Sequence, residues 1–251
     1  MIRALPPEYL RTLRQQVDHR GALAGNGVTF GAEAIDNRIE GGLMQRALHE
    51  VFAASVEDAS AAATFALLIG LRASPVNRPL IWVRENRCCR QTGHVHAPGL
   101  VELGIDPNDL VLVDALAVLR AGADAVKCGQ VGIVIIEPWG RAPLLDLTAS
   151  RRLAMAAAAS GVMTLVLRVD AEPVPSAAQT RWQVAAAPSS PLAANAPGQP
   201  AFDIALLRHR GGIAGFETRL EWNRDTRSFA QLSGGVSAVF AFGADQARQA
   251  A

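Results

Sequence analysis

The chain has 251 residues, 50% of them hydrophobic and 19% charged, and a net charge of +1. This composition excludes a largely disordered chain, and the near-zero net charge excludes nucleic-acid binding through bulk charge alone. Three cysteines argue against a disulfide framework, and neither a signal peptide nor an apolar run long enough to span a bilayer is evident. We therefore expect a cytoplasmic protein with no membrane association.

The first element in the chain is a predicted helix over residues 7–20. It begins with a proline and places Leu10, Leu13 and Val17 on one face. A glycine-rich linker follows it. We predict three regions: an N-terminal helix and linker over 1–27, a core over 28–232, and a C-terminal tail over 233–251.

Within the core, strands and helices alternate. The predicted strands are 47–52, 79–84, 110–113, 132–136 and 163–169, and the main helices are 59–72, 116–127 and 148–160. Strands this continuously apolar belong in a parallel sheet that helices cover on both faces. The pattern therefore predicts an α/β fold with a doubly wound, mainly parallel sheet.

The last third of the core has a different pattern. Residues 180–186, 202–209 and 216–222 are predicted strands, with a hairpin turn at Gly211 and Gly212 and a loop over 187–200. This order predicts a C-terminal antiparallel β extension of the sheet. The tail that follows contains an apolar run over 236–242.

The segment 48–72 has the strand, loop and helix of a nucleotide phosphate site but lacks the residues that would hold phosphate. Such loops need glycines, so that backbone N–H groups can surround the phosphate, and a lysine followed by serine or threonine. Here no glycine lies between His49 and Ile69, and the only lysine of the chain is Lys127. The segment therefore favours binding over catalysis.

Several motifs together resemble the RecA-like core, over roughly residues 28–230. The matching stretches are 30–36 with 40–43 and 102–106 with 109–113. Within that superfamily the chain more closely resembles the ImuA family. The stretches that carry this resemblance are 47–50, 97–100 with 103–107, 147–153 and 176–182.

The ImuA resemblance implies a RecA-like accessory protein for error-prone translesion DNA synthesis in the damage response. Its implied partners are ImuB, a Y-family polymerase homologue without catalytic activity, and an error-prone C-family polymerase, with RecA as a further candidate. Members of that family also tend to lack an intact phosphate loop, which agrees with the residues of segment 48–72. Two alternatives stay open: a DNA-dependent ATPase with an aberrant phosphate loop, and a cell-division inhibitor of the SulA type.

Two carboxylates occupy positions that serve nucleotide hydrolysis in RecA-like proteins. Glu85 matches the glutamate that orients the attacking water, and Glu137 matches the carboxylate linked to Mg²⁺. Without the lysine and the backbone cradle we expect both to be vestigial, and we expect no enzymatic activity and no cofactor. The degenerate loop retains only the hydroxyls of Ser55, Ser60 and Thr64.

A zinc site is a further hypothesis, because Cys88, Cys89, His94 and His96 lie within nine residues. Adjacent cysteines suit a single tetrahedral ion poorly, because cysteine ligands are usually separated by two to four residues. We therefore interpret this segment as a loop without metal.

Arginine clusters are candidates for weak DNA binding, and apolar residues are candidates for partner binding. The arginines are Arg84, Arg87, Arg90, Arg151, Arg152, Arg208 and Arg210.

RecA-like proteins often pack an N-terminal helix on a neighbouring core, which makes Leu10, Leu13 and Val17 candidates for homo-oligomer contacts. Trp139, Phe240 and Phe242 complete the predicted partner-binding residues, and Trp139 is either an interface anchor or a cover of the core.

Overall fold

The computed structural model describes residues 27–74, 78–192, 194, 196, 198–232 and 237–238. Its strands are β1 (Gly27–Val28), β2 (Leu43–Met44), β3 (Leu48–Ala53), β4 (Leu80–Glu85), β5 (Leu110–Ala115), β6 (Ile133–Glu137), β7 (Met163–Arg168), β8 (Thr180–Ala187), β9 (Ala201–His209), β10 (Phe216–Asn223), β11 (Ser228–Gln231) and β12 (Ser237–Ala238). Its α-helices are α1 (Glu33–Arg38), α2 (Ala59–Ala73), α3 (Asn86–Thr92), α4 (Ala97–Glu102), α5 (Val118–Val126) and α6 (Leu147–Ser160).

One large sheet organises the fold, with strand order β5-β4-β6-β7-β3-β8-β9-β10-β11. Within this order, the six strands β5, β4, β6, β7, β3 and β8 pair with one another in parallel. Strands β8 to β11 are antiparallel, and β12 also pairs with β10. The predicted α/β fold, with a mainly parallel sheet and a C-terminal antiparallel extension, is confirmed.

Burial along the strands explains this arrangement. Every residue of β3, β6 and β7 is buried, because α2 packs on one face of these strands and α5 and α6 pack on the other. On β10, buried and exposed residues alternate, so one face of the extension is covered and the other meets solvent. The apolar runs and the alternating run in the sequence therefore indicate two different environments in one sheet.

Aromatic side chains hold the antiparallel extension to the parallel part. Phe229 of β11 lies 4.9 Å from Trp222 and 5.5 Å from Phe65 of α2, between ring centroids. Phe30, which precedes α1, lies 5.5 Å from Trp182 of β8. The cluster therefore joins β8, β10, β11, α2 and the chain before α1 into one core.

The strand β5 forms one edge of the sheet and exposes apolar side chains. Within the described residues β5 pairs only with β4, and its other backbone edge has no strand beside it. Val111 and Leu112 on this strand are 44% and 45% exposed, and the following Leu116 is 87% exposed. An exposed apolar edge strand is uncommon and can pair with another chain.

Three local features differ from the sequence prediction. Residues 86–92, predicted as part of a loop, form α3, because a short polar helix leaves no apolar periodicity to detect. Strands β11 and β12 were not predicted, and β12 places Ser237 and Ala238 of the predicted tail beside β10. The division at 28 and 232 stays a prediction. Among the described residues, no helix is long and apolar enough to cross a bilayer.

Candidate functional site

The candidate site lies at the carboxyl edge of the central parallel strands, where ligands of such sheets bind. Strands β3, β4, β6 and β7 end there, and the loop over 54–58 joins β3 to α2. Glu85 and Glu137 are the last residues of β4 and β6. The topology therefore brings the predicted phosphate loop and both predicted carboxylates to one edge.

The loop over 54–58 uses its polar groups internally. The carboxylate of Asp58 accepts hydrogen bonds from the hydroxyl of Ser55 and the N–H of Ala186, both at 2.8 Å. The N–H groups of Asp58 and Ala59 donate to loop carbonyls, at 3.2 Å each. Amides arranged this way do not converge on an external anion, which a phosphate loop requires.

Negative charge accumulates in the same loop. Glu57 is exposed, and the pKa of its carboxyl is lowered by a hydrogen bond from its own backbone and by the hydroxyl of Ser55. Asp58 directly precedes α2, so its charge lies beside the helix N-terminus, which favours anions. The protein itself therefore supplies the anion there.

Glu137 forms a buried ion pair with Arg84. The two lie opposite each other in the β4–β6 register, and Nε of Arg84 donates to Oε2 of Glu137 at 2.8 Å. Their side chains are only 2–5% exposed. Burial raises the pKa of Glu137, and Arg84 opposes this effect. Because a guanidinium stays charged, Glu137 balances an internal cation.

The other two nitrogens of the Arg84 guanidinium also donate hydrogen bonds. Nη1 donates to the carbonyl of Gly93, and Nη2 donates to the hydroxyl of Thr92 at 3.0 Å. The guanidinium also lies 4.7 Å from the ring centre of Trp82. Arg84 is thus part of the packed interior, with a side chain that is only 5% exposed, and its contact with DNA stays a prediction.

Glu85 and Trp139 contact each other at the same edge. Oε2 of Glu85 accepts a hydrogen bond from the backbone N–H of Trp139 at 2.9 Å, which ties the end of β4 to the chain after β6. The Trp139 side chain is 6% exposed and packs in the core. Of its two predicted roles, the structure shows the core cover and not the exposed anchor.

A cavity of about 630 Å³ opens beside the ion pair. Ser60 and Thr64 line it from α2, Arg84 and Glu137 lie at its inner end, and Leu100 lines it from α4. The cavity is large enough for a small ligand. The two hydroxyls are the groups that α2 offers to such a ligand.

The cysteines near this cavity have separate partners. The thiol of Cys88 donates to the carbonyl of Glu137, and that of Cys89 donates to Oδ1 of Asp114. Burial is the largest influence that raises the pKa of Cys88. Across the part of the chain that the structure describes, no three His, Cys, Asp or Glu side chains are grouped as metal ligands.

Two buried arginines that sequence reasoning missed hold the neighbouring loops. Arg168, the last residue of β7, is 1% exposed and donates to the carbonyls of Gly140 and Arg141. Arg181 of β8 pairs with Glu50 at 2.8 Å and donates to the hydroxyl of Ser176. A charged residue in or beside an apolar strand was the signal that could have revealed them.

The other predicted arginines form two separate groups. Arg87 and Arg90 are exposed on α3. Arg151, Arg208 and Arg210 line a second cavity of about 520 Å³ together with Arg181, whereas the neighbouring Arg152 does not line it. The structure therefore joins two clusters that are far apart in sequence. Leu10, Leu13, Val17, Phe240 and Phe242 lie outside the described residues.

Comparison with known proteins gives both a fold and a family. The chain resembles the crystal structure of the RadB recombinase with a TM-score of 0.55 and 15% identity, over 82% of this chain and 100% of that chain. This likeness shows a RecA-like fold. A scan against protein-family models gave no match.

Sequence similarity is higher to two curated relatives, both named Protein ImuA, from two strains of Caulobacter vibrioides. Each is 32% identical to this chain over 206 residues, and the match covers 75% of this chain and 80% of the relative. Identity at this level over most of both proteins, together with the RecA-like strand order, leads to one conclusion. The chain belongs to the ImuA family.

Proposed function

We propose that this protein is a non-catalytic accessory of error-prone translesion DNA synthesis in the cytoplasm, and that it bridges ImuB and an error-prone C-family polymerase. Membership of the ImuA family supports the translesion role. The geometry of the carboxyl edge supports the absence of catalysis. Binding of RecA and formation of a homo-oligomer are further parts of the proposal.

The observation that carries the non-catalytic part is the buried pair of Arg84 and Glu137. A Mg²⁺ ion at Glu137 would compete with Arg84 for the carboxylate, and loss of Glu137 to the metal would leave a buried cation without its partner. Breaking a buried pair in this way costs about 3–5 kcal/mol. An added cost comes from the negative loop at Glu57 and Asp58, since phosphate would approach two carboxylates.

ATP titration with magnesium tests this part of the proposal. We expect no saturable binding up to millimolar ATP and no phosphate release, with an active RecA-like ATPase measured in parallel as the positive control. Turnover that disappears in Glu85→Gln would instead show that the edge is catalytic, because the RecA-like resemblance assigns Glu85 the role of orienting the attacking water.

Co-purification tests the bridging part. Tagged protein, co-expressed with ImuB and with the C-family polymerase singly and together, is expected to retain both, and to increase the amount of polymerase recovered with ImuB. A tubulin-like division protein is co-expressed as a competing candidate partner. Retention of that protein in place of ImuB would favour the SulA-type alternative and contradict the bridging role.

A further inference from the structure

We propose that the cavity lined by Arg151, Arg181, Arg208 and Arg210 binds the phosphate groups of single-stranded nucleic acid. This arginine cavity lies between the start of α6, the loop over 170–177, and the β8–β9 pair. The proposal goes beyond the accessory role and does not depend on it.

The charge of the arginine cavity is strongly one-sided. Four arginines contribute to a cavity of about 520 Å³, and among the described residues that line it there is no carboxylate. The whole chain carries a net charge of only +1, so this concentration of cations is local. A concave surface of one charge sign attracts the opposite charge more strongly than an open face.

Hydrogen bonds to the backbone of the loop over 170–177 orient Arg208 and Arg210. Nη1 of Arg208 donates to the carbonyl of Ser176 at 3.0 Å, and Nη1 of Arg210 donates to the carbonyl of Ala177 at 3.2 Å. Each guanidinium has five N–H donors, so most of them stay available on these two side chains. Their attachment to the loop reduces the entropy lost when they bind an anion.

Arg181 forms the fixed inner wall of the arginine cavity. It is 9% exposed, and its pairing with Glu50 and its bond to Ser176 orient the guanidinium. Glu50 does not line the cavity, so its charge is taken up by Arg181 and by the nearby buried Arg168. The exposed Arg151, Arg208 and Arg210 are thus the groups that would contact a ligand directly.

The size and the lining residues of the arginine cavity favour a nucleotide strand. Arginine forks match phosphate oxygens in pairs, and the space is more than ten times the ~30 Å³ that a water molecule takes up in the liquid. Leu147, Pro173 and Val174 give the same cavity an apolar wall for a sugar or base. In a duplex the bases are stacked inside the helix, so only an unpaired strand can place a whole nucleotide there.

Fluorescence anisotropy of a labelled oligothymidylate, measured over a series of salt concentrations, tests the proposal. We expect Arg151→Gln to weaken binding about 10-fold, as for one lost charge-assisted contact. The triple variant R151Q/R208Q/R210Q is expected to weaken binding by at least about 100-fold. It should also reduce the slope of log K against log salt by about 2, at roughly 0.7 per phosphate contact in single strands.

The chain supplies matched controls. Arg152→Gln removes the same charge one residue away, outside the cavity, and R87Q/R90Q removes two exposed charges on α3. Both controls should change affinity by less than about 2-fold, because these charges lie outside the cavity and act on the bound phosphates only from a distance, where salt screens them. Urea unfolding of each variant checks that the fold is intact, because the substituted heads are exposed.

Two results with the oligothymidylate would overturn the proposal: wild-type affinity in the triple variant, or an equal loss of affinity in R151Q and R152Q. A third would be tight binding of a duplex or a phosphoserine peptide, at least equal to that of the oligothymidylate and weakened as much by the triple substitution. Loss of DNA binding while ImuB is still retained would leave the accessory role intact. Loss of ImuB retention in the unmodified protein would contradict that role alone.

Discussion

At the scale of single residues, a buried histidine depends on one protonation state. Nε2 of His49 lies 2.8 Å from the carbonyl of Met44, which can only accept, so this nitrogen carries the hydrogen. Nδ1 then accepts from the hydroxyl of Thr180 at 2.7 Å, and that hydroxyl accepts from Trp182 Nε1 at 2.8 Å. The network suits neutral imidazole, because a second ring proton would force the Thr180 hydroxyl to turn its own hydrogen away from Nδ1.

Stability is expected to fall in mild acid because of His49. Burial lowers the pKa of His49 to about 4, from 6.5. Between pH 6.5 and pH 4, His49 is protonated in the unfolded chain and stays neutral in the folded protein. The free energy of unfolding therefore falls by about 3 kcal/mol as the pH is lowered from 6.5 to 4. Urea unfolding at several pH values measures the loss. His49→Gln should remove that part of the pH dependence, and an unchanged profile would contradict the assignment.

The Arg84–Glu137 pair predicts an asymmetric mutational response. Glu137→Gln leaves a buried guanidinium without its counter-charge and should lower the free energy of unfolding by about 3–5 kcal/mol. The double variant Arg84→Met/Glu137→Leu removes both charges and should recover most of that loss. Urea unfolding compares the variants with Asp203→Asn, which breaks an exposed pair with Arg219 at 2.7 Å and should cost at most about 1 kcal/mol. Equal losses in all three variants would contradict the burial argument.

At the scale of elements, α5 packs closely on β6 because one position carries no side chain. A Cβ atom at Gly122 would lie 2.6 Å from Cδ1 and 2.7 Å from Cγ1 of Ile136. Gly122→Ala should therefore cost about 1–3 kcal/mol through overpacking, more than the ~1 kcal/mol gained in helix propensity. Thermal unfolding measures this change. Adding Ile136→Val should recover part of the loss, and a stabilised single variant would show that α5 can move away.

Elements with a strong pattern could be predicted, and elements set by tertiary contacts could not. The apolar runs that became β3, β6 and β7 predict a parallel sheet, because both of their faces need cover. Helix α3 and strands β11 and β12 are too short or too polar for any periodicity to emerge. Their conformation depends on neighbours that sequence order does not reveal.

The candidate site was predictable to the same extent. Its position followed from the strand order, and so did the gathering of Glu85 and Glu137 at one edge. The pairing of Arg84 with Glu137 did not, because a strand-end arginine in sequence is equally consistent with an exposed cation. The strand order also did not predict that Arg151 lies beside Arg208 and Arg210, because this depends on the conformation of the loop over 170–177.

At the scale of the whole molecule, the aromatic cluster adds side-chain packing to the backbone pairing that joins the extension to the parallel sheet. Phe229 is 1% exposed and contacts aromatic rings from α2, β9, β10 and the chain before α1. Phe229→Ala should lower the free energy of unfolding by about 3–5 kcal/mol. Val111→Ala on the exposed edge serves as the control and should change it by less than about 0.5 kcal/mol. A loss below about 1 kcal/mol for Phe229→Ala, measured by urea unfolding, would show that the extension does not depend on this ring.

The free edge at β5 has a practical consequence for handling the purified protein. Among the described residues, no strand pairs with the backbone groups of β5 that point away from β4, and the exposed side chains of Val111 and Leu112 lie on this strand. Concentrating the isolated chain therefore favours edge-to-edge association between copies and precipitation, which a bound companion would suppress by covering that strand. Light scattering during concentration, with and without co-expressed companions, would report directly on this hazard.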